Sequence, residues 1–513
     1  MKKYLLGIDI GTSSVKALLC SEDGEIVVQA LRSNHLSSPH SGWAEESPSE
    51  WWQNTKAVIR ECLTGFNGSP SDISGIGVTG MVPAVVLLDD KGEVIRQSIQ
   101  QNDARTVEEI DELKNKLDFD WFFKITGSML SQQSVAPKLK WLQKNEPINW
   151  AKVKSILGSY DYINYCLTGM INVEANWALE SGLFDIQKNE WSESLIKLVG
   201  INKEILPPVR LSHEVIGEVS SSVAVETGLA EGTLVIAGSA DHVAAALAAG
   251  IKENGDLLVK FGSAGDILYS SDNLVLDNRL FLDYHDIPGK YLLNGCMATS
   301  GSLLKWYVKQ FCQEDQQVAI NQGLDVYDFL NKKAEQIAPG CDGIIVLPYF
   351  LGEKTPIFDP AAKGVFWGLT LFHTRHHLYR AVMEAVCFGF RHHLEVLIEK
   401  ELPVMRVVAS EGGAKSYLWR QITADVLNKP VVYLKQNPGA AFGAAFIAGI
   451  AAGVWSDWDE INQFILIDNV TTPISKNIKV YERSFSLYLD LYLKLKDLFK
   501  LSVVATDNFT NQI

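Results

Sequence analysis

Apolar runs separated by turn-forming clusters open the chain at the spacing of short strands. Tyr4–Ile10 is a mainly apolar run, Gly11-Thr-Ser-Ser14 a turn, 15–20 a second run, Glu22-Asp-Gly24 another turn and 25–30 a third run, so a three-stranded meander is predicted. A capped helix comes next. Ser47 is its expected N-cap, Pro48 takes the first helical position, and Glu50 would complete a capping box; Trp51, Trp52, Val58, Ile59 and Cys62 supply an apolar stripe. Further strands are predicted near 76–79 and 85–88. Residues 107–200 read as mainly helical, with an amphipathic stretch at 138–145 and a segment at 160–167.

A strand (234–237), the turn Gly238-Ser-Ala-Asp241 and a helix (242–249) close this series. A second series starts at Asp256 with a strand (257–261), the turn Gly262-Ser-Ala-Gly265 and a strand (266–270). Leu5-Leu-Gly-Ile-Asp-Ile-Gly-Thr-Ser13 set against Leu257-Leu-Val-Lys-Phe-Gly-Ser-Ala-Gly265 suggests an internal duplication. Near the end, a strand from Val407, a Gly-Gly turn and a helix carrying Leu418, Ile422 and Val426 stop before Pro430. Two α/β domains meeting near residue 250 are expected, with ligands in the cleft between them.

Length agrees with that division, because 513 residues exceed one ordinary core and fit two domains of roughly 200–250 residues. An apolar content of 47% and a charged content of 21% are those of a soluble globular protein. A net charge of −15 argues against nucleic acid as a partner, though it leaves room for an anionic nucleotide held by a local nest and a metal ion. The seven cysteines (Cys20, Cys62, Cys166, Cys296, Cys312, Cys341, Cys387) include no CxxC pair, which fits reduced thiols in a cytoplasmic protein. The N-terminal apolar run is short and interrupted by Asp9, unlike a signal peptide. The Ala/Gly-rich stretch 439–454 falls short of the ~20 residues a membrane span needs and reads as a closely packed soluble helix.

Gly75-Ile-Gly-Val-Thr-Gly80 fits the dinucleotide pattern GxGxxG, but that reading needs a helix to begin at the third glycine, and Met81-Val-Pro83-Ala-Val-Val continues as β-type sequence. No GxxxxGK[ST] is present, so an ATP site would not be of the P-loop type. Gly7-Ile-Asp9-Ile-Gly11-Thr12-Ser13 puts an aspartate inside an apolar strand, where its charge is costly to bury unpaired. Either a hydrated Mg²⁺ held through Asp9 resolves that cost, with glycine, threonine and serine aiming donors at phosphate, or the hairpin is plain and Asp9 pairs with a basic side chain. Asp241, between a strand and a helix, is either a helix N-cap or a general base for an acceptor hydroxyl. Gly412-Gly413-Ala414 either admits a flat ligand such as adenine or simply packs.

The order of these blocks resembles the FGGY carbohydrate kinases, and within them the xylulokinase branch. The resemblance runs from about residue 4 to residue 455. It rests on Gly7-Ile-Asp-Ile-Gly-Thr-Ser13, Ala136-Pro-Lys-Leu-Lys-Trp-Leu142, Gly238-Ser-Ala-Asp241, Leu347-Pro-Tyr-Phe-Leu-Gly-Glu-Lys-Thr-Pro356, Gly364-Val-Phe-Trp-Gly-Leu369 with Ala381-Val-Met-Glu384, and Gly412-Gly-Ala-Lys-Ser416. It implies an α/β chain of two actin-like (ribonuclease-H-like) ATPase domains flanking a cleft: 1–250 binding sugar, and 251–513 binding nucleotide and ending in a helical tail. The implied reaction moves a phosphoryl group from ATP, with Mg²⁺, to a hydroxyl of a small ketose, a pentulose such as xylulose. A polyol kinase for glycerol or a tetritol, and an actin-like ATPase with no sugar acceptor, are the alternatives. The implied partners are a small sugar and ATP, with no membrane; a homodimer is compatible with it.

By the same resemblance Asp9 is the metal residue, Asp241 the catalytic base, and Gly11, Thr12, Ser13, Gly262, Ser263, Gly301, Lys305, Gly412, Gly413 and Ala414 face the nucleotide. Met81, Val82, Asn102, Asp103, Arg105 and His242 fall at the sugar. The chain departs from the xylulokinase pattern there. It has Thr79-Gly-Met-Val-Pro-Ala84 for Ser-Gly-Gln-Met-His-Gly, Gln101-Asn-Asp-Ala-Arg105 for Trp-Asn-Asp-Gly-Arg, and His242 where asparagine is usual after the base. His242 is either a sugar ligand or a satisfied structural histidine.

Overall fold

The computed structural model describes residues 2–436 and 438–510, with side chains through residue 502. The chain forms two compact units. The first comprises Met1–Lys252, Asp272–Leu292 and Pro438–Ile465, and the second Glu253–Ser271, Leu293–Asn437 and Leu466–Ile513. Two segments beyond residue 250 therefore pack with the first unit rather than the second.

In the first unit, strands β1 (Tyr4–Ile10), β2 (Ser14–Ser21) and β3 (Ile26–Ser33) form the antiparallel meander expected from their alternating apolar runs and turns. Helix α1 (Pro48–Gly65) begins as predicted, with Ser47 accepting from the Glu50 backbone N–H at 3.3 Å. The second half of the capping box is not made, because the Glu50 carboxylate pairs with the His35 ring instead. Trp51, Val58, Ile59 and Cys62 are buried, whereas Trp52 stays partly exposed.

Strand β4 (Ile73–Gly80) runs parallel to β1, with Asp9 opposite Thr79. Helices α2 (Val135–Asn145), α3 (Ser159–Thr168) and α4 (Ala175–Glu180) come after it. Strands β5 (Val215–Glu218) and β6 (Leu234–Ile236) complete a sheet of order β5-β6-β4-β1-β2-β3. The two-residue strand β7 (Ser239–Ala240) pairs with the end of β4, and α5 (Asp241–Ala248) starts directly after it.

The second unit repeats the plan. Strands β8 (Asp256–Phe261) and β9 (Gly265–Ser271) form the hairpin that echoes β1 and β2. Strand β10 (Phe281–Tyr284) belongs to the first unit, β11 (Tyr291–Met297) lies beside β9, and helices α6 (Gly301–Phe311) and α7 (Arg375–Glu399) lead to β12 (Arg406–Ser410), α8 (Tyr417–Leu427) and β13 (Val431–Leu434). After α9 (Gly439–Ala451), which joins the first unit, come β14 (Ile467–Thr471) and the long helix α10 (Ser475–Thr510). Six of this sheet's seven strands, in the order β11-β9-β8-β12-β13-β14, match β3-β2-β1-β4-β6-β5 strand for strand, with the central pairs parallel and the last edge antiparallel in both. The short sequence echo therefore marks a duplication of architecture.

Helix α9 lies against β1, β4 and α5. Glycines allow the approach. A Cβ on Gly7 would collide with the carbonyl of Ala441, one on Gly77 with that of Ala444, and one on Gly443 with that of Ala244, while one on Gly75 would sit 3.1 Å from the Ala448 oxygen. Two glycines of the GxGxxG pattern thus make room for a helix rather than for a pyrophosphate, and no helix starts at Gly80. Phe446 stacks on Trp455 at 4.9 Å and, with Leu5, Leu18 and Phe442, fills the core around α9. Among the described residues no helix is long and apolar enough to cross a membrane.

Gly77→Ala inserts a methyl group where backbone stands, and overpacking of this kind destabilises by about 1–3 kcal/mol. Urea unfolding of the variant should show a loss in that range. A midpoint equal to that of wild type would mean that α9 can shift freely and that the contact does not set the fold.

Candidate active site

Three chain segments end side by side in the first unit. Asp9 is the penultimate residue of β1, Thr79 faces it on β4, and Ser239 of β7 pairs with Thr79 on the other side. The Thr79 hydroxyl donates to the Ser239 carbonyl at 2.7 Å. Gly238 makes the bend before β7 at φ +86°, where a Cβ would strike the Val78 carbonyl. With strands about 4.8 Å apart, this register brings Asp9, the segment after Gly80 and Asp241 to one end of the sheet.

The turn Gly11–Ser13 next to Asp9 is fixed from outside. The Gly11 N–H bonds the Ser14 carbonyl at 3.0 Å, the Asn34 amide donates to the Gly11 carbonyl at 2.9 Å, and the Asn34 N–H donates to the Ser13 carbonyl. Asp241 is not a helix cap. Ala240 occupies the N-cap position of α5, no side chain caps that end, and Asp241 is the first helical residue with its side chain 40% exposed. Asp241 is thus a carboxylate at a helix N-terminus, where negative charge is stabilised.

Met81 and Val82 are buried. Ser159 donates to the Met81 carbonyl at 2.7 Å, Trp177 donates to the Ala84 carbonyl at 2.8 Å, and the Val82–Pro83 peptide is cis. Asn102 is exposed, whereas Asp103 is fully buried and bonds the Arg105 guanidinium through both oxygens at 2.8 Å. The Ala44 N–H also donates to Asp103. Arg105 reaches Glu45 at 2.7 Å and lies 3.7 Å from the Trp43 ring and 4.8 Å from that of Trp141. Burial pushes the Asp103 carboxyl up, but Arg105 and the Ala44 N–H outweigh it and hold the group below its ordinary range. Asp103 and Arg105 therefore brace each other in the wall of this region.

The wall continues into a chain of charged groups. Lys138 of α2 is buried, donates to the Gln133 carbonyl at 3.1 Å, and is pushed down to about 7 by burial despite Asp103 and Glu180 nearby. Glu180, the last residue of α4, is pushed up to about 8 by burial and by Asp283, with His242 opposing. Asp283 on β10 accepts from His242 Nε2 at 3.1 Å, and His242 Nδ1 stands 3.5 Å from Asp241. Burial alone would lower the His242 ring, yet Asp283, Asp241 and Glu180 hold it well above the ordinary histidine range. A reciprocal pair of hydrogen bonds between Asn176 and the Tyr284 backbone, at 2.7 and 3.0 Å, ties β10 to α4 and so sets Asp283 beside Glu180. One ligand-type atom from each of Glu180, His242 and Asp283 lies within 4.8 Å of the others, a spacing that the ion pairing of a cationic ring already explains.

The remaining candidates lie on the second unit. The carbonyls of Gly262 and Ser263, in the turn between β8 and β9, accept from the N–H groups of Ser300, Gly301 and Ser302 at 2.8–3.1 Å, so the hairpin turn is stitched to the start of α6. Lys305 is exposed on that helix. Gly412-Gly413-Ala414 form a single turn after β12; Gly413 packs on Phe261 and Trp419, whereas space around Gly412 is open. Arg420 bonds the carbonyls of Ala414 and Lys415 and fixes that turn.

Two sheets of this order, one in each unit, define the actin-like ATPase fold. The chain belongs to the FGGY family of carbohydrate kinases: the family's N-terminal domain matches residues 4–248 and its C-terminal domain residues 267–452. It is 32% identical to the xylulose kinase of Bacillus subtilis over 97% of this chain and 98% of that one. It is 27% identical to the gluconokinase of the same organism, over 96% of each. The crystal structure of xylulose kinase from Rhodospirillum rubrum superposes with a TM-score of 0.91 at 43% identity, covering 97% of this chain and all of that one. The protein is accordingly a sugar kinase, transferring phosphate from ATP to an alcohol group.

The reading of the sequence missed Trp43, Glu45, Lys138, Glu180 and Asp283. Lys138 had a signal, a lysine on the buried face of an amphipathic helix; Glu180 and Asp283 had none, because only the fold brings them to His242. Arg105→Lys should test the bracing, since an ammonium can neither grip both Asp103 oxygens nor stack on Trp43. Weakening a buried pair of this kind should lower stability by about 3 kcal/mol and raise the KM for the acceptor more than that for ATP. Equal rises in both KM values, or an unchanged unfolding midpoint, would contradict the bracing role.

Proposed function

We propose that the acceptor is a ketopentose, xylulose first among the candidates, and that Asp241 is the base that receives its proton. The carrying observation is the position of Asp241: first residue of α5, not used as a cap, with the ends of β1 and β4 alongside. The acceptor hydroxyl gives its proton to the Asp241 carboxylate, its oxygen bonds to the γ-phosphorus, and the bond from that phosphorus to ADP breaks.

On the first unit, the backbone N–H and hydroxyl groups of Gly11, Thr12 and Ser13 would face phosphate, and Met81, Val82, Asn102 and His242 would line the acceptor. On the second unit, Gly262, Ser263, Gly301, Lys305 and Gly412–Ala414 would take the nucleotide. Asp9 offers a half-buried carboxylate, a hard oxygen donor of the kind magnesium takes, and would hold that ion. When bound, magnesium supplies neutralisation of phosphate charge. The free cysteines support a reducing, cytoplasmic setting.

One observation favours a second acceptor class. Met81 and Pro83 replace polar groups of the xylulokinase pattern, and a sugar hydroxyl left without a partner costs about 1–3 kcal/mol. Acceptor-dependent ADP release should therefore be measured with xylulose, ribulose, gluconate, glycerol and erythritol. We expect a ketopentose to give the highest kcat/KM. A tenfold advantage for glycerol, erythritol or gluconate would replace the pentulose reading.

Asp241→Asn should reduce kcat by about 10²–10⁴ with ATP binding retained, because an amide cannot accept the proton. Asp9→Asn should raise the magnesium concentration needed for half-maximal rate while leaving the melting temperature nearly unchanged. Retention of more than a tenth of wild-type kcat in the first variant, or an unshifted magnesium titration in the second, would remove the corresponding role.

A further inference from the structure

His242 stands between two carboxylates that do different work. Asp241, its neighbour on α5, is the proposed base, and the role assigned to His242 rests on that reading. Asp283 is almost completely buried, with its side chain 2% exposed, and its oxygen meets His242 Nε2 at 3.1 Å. The opposite ring nitrogen, Nδ1, is 3.5 Å from Asp241. An imidazole with a carboxylate at each nitrogen can satisfy both only as the cation, since a neutral ring has a single N–H.

We propose that His242 is a positioning residue for phosphoryl transfer: its imidazolium, anchored on the buried Asp283, holds the Asp241 carboxylate in place and keeps it ionised for the incoming hydroxyl.

The groups facing the ring come from four elements. Asp241 belongs to its own helix, Asp283 to β10, and Glu180 to the end of α4; Asp286 acts from just beyond β10, and Lys138 of α2 acts on Glu180 from the far side. Burial opposes the charge on the ring, and the three nearest carboxyl groups outweigh it. Asp286 itself is pushed up to about 7 by burial, and Glu180 to about 8. The ring is therefore a cation set between Asp241 and Asp283, with Glu180 close by. The xylulokinase pattern usually has asparagine at this position, and asparagine carries no charge to lend the base.

The sign of the effect is set by the charges. A cation beside a carboxylate favours its ionised form, so removing the ring leaves Asp241 facing Asp283 without the intervening cation and makes it harder to ionise. The test is the pH dependence of kcat/KM for the acceptor from pH 5 to 9, in wild type, His242→Asn and His242→Gln, with melting temperatures measured alongside. Both variants should move the acid limb to higher pH by about one unit, and the loss should be much greater at pH 6 than at pH 8.5. A folded variant that loses activity equally at every pH, or keeps the wild-type limb, would overturn the proposal and leave His242 a packing residue or a plain sugar ligand.

If neither variant folds, ring ¹⁵N shifts of histidine-labelled wild type decide the matter: among ten histidines, a buried one should stay cationic through pH 8. A spectrum in which every buried ring is neutral at pH 8 overturns the proposal. The base assignment fails separately. An active Asp241→Asn removes the base, whereas an inactive Asp241→Asn together with an unmoved limb in His242→Asn removes only the positioning role.

Discussion

The close approach of α9 to β1, β4 and α5 is the constraint on which the first unit depends. These three elements carry or precede Asp9, Met81 and Asp241, and α9 touches all of them through positions where only hydrogen fits. Gly7 and Gly77 clear the strands for the helix, and Gly443 clears the helix for α5. Close packing of this kind transmits small displacements rather than absorbing them. A segment more than 400 residues from Asp9 in sequence thus fixes the spacing of the strand ends. The Ala/Gly composition that first raises the question of a membrane span is the consequence, since larger side chains would force the helix off the sheet.

Electrostatics in the site are settled by burial and pairing together. Asp103 and Arg105 are both removed from solvent, and each is kept charged by the other, by Glu45 and by the Ala44 N–H. Replacing such a pair by apolar residues need not destabilise a protein, so its presence is better explained by geometry than by stability. The guanidinium, fixed between two indole rings and two carboxylates, cannot rotate, and the loop that carries Asn102 is held with it. Lys138 shows the opposite limit: with one carbonyl acceptor, burial pushes it down to about 7 despite Asp103 and Glu180 nearby.

The sequence disclosed those features that depend on local order. The meander, the start of α1 and the echo between β1-β2 and β8-β9 were legible because period-two apolar runs and turn residues act over a few positions. Residues 107–200 were legible only as helical, since helix packing there is set by long-range contacts. At Glu50 a tertiary partner won: the side chain pairs with His35 although its sequence position suits a capping box. Asp241 was ambiguous because an acid between strand and helix suits the cap position as well as the first helical one, and the two differ by one residue of register that sequence does not define. Glu180 and Asp283 were invisible, being 103 positions apart and brought together by the fold, where the Asn176 side chain bonds the Tyr284 backbone.

The proposed base, at a helix N-terminus, poses a problem of balance that the surrounding charges answer. The partial positive charge of the helix end and the His242 cation both favour the carboxylate form of Asp241, which keeps it free of a proton but weakens it as an acceptor. A base too well stabilised would take the hydroxyl proton poorly, since proton transfer is most effective when the base is poised near the working pH. Asp283 supplies the counterweight: it neutralises the ring it anchors, so that Asp241 feels an ion pair more than an isolated cation. Glu180, pushed up to about 8, adds further negative charge only as the pH rises past that point. Asparagine at position 242 would relieve the base of the cation altogether, and would at the same time deprive buried Asp283 of its ion pair with the ring. His242 and Asp283 therefore act as one unit of the site, joined by the contact at 3.1 Å.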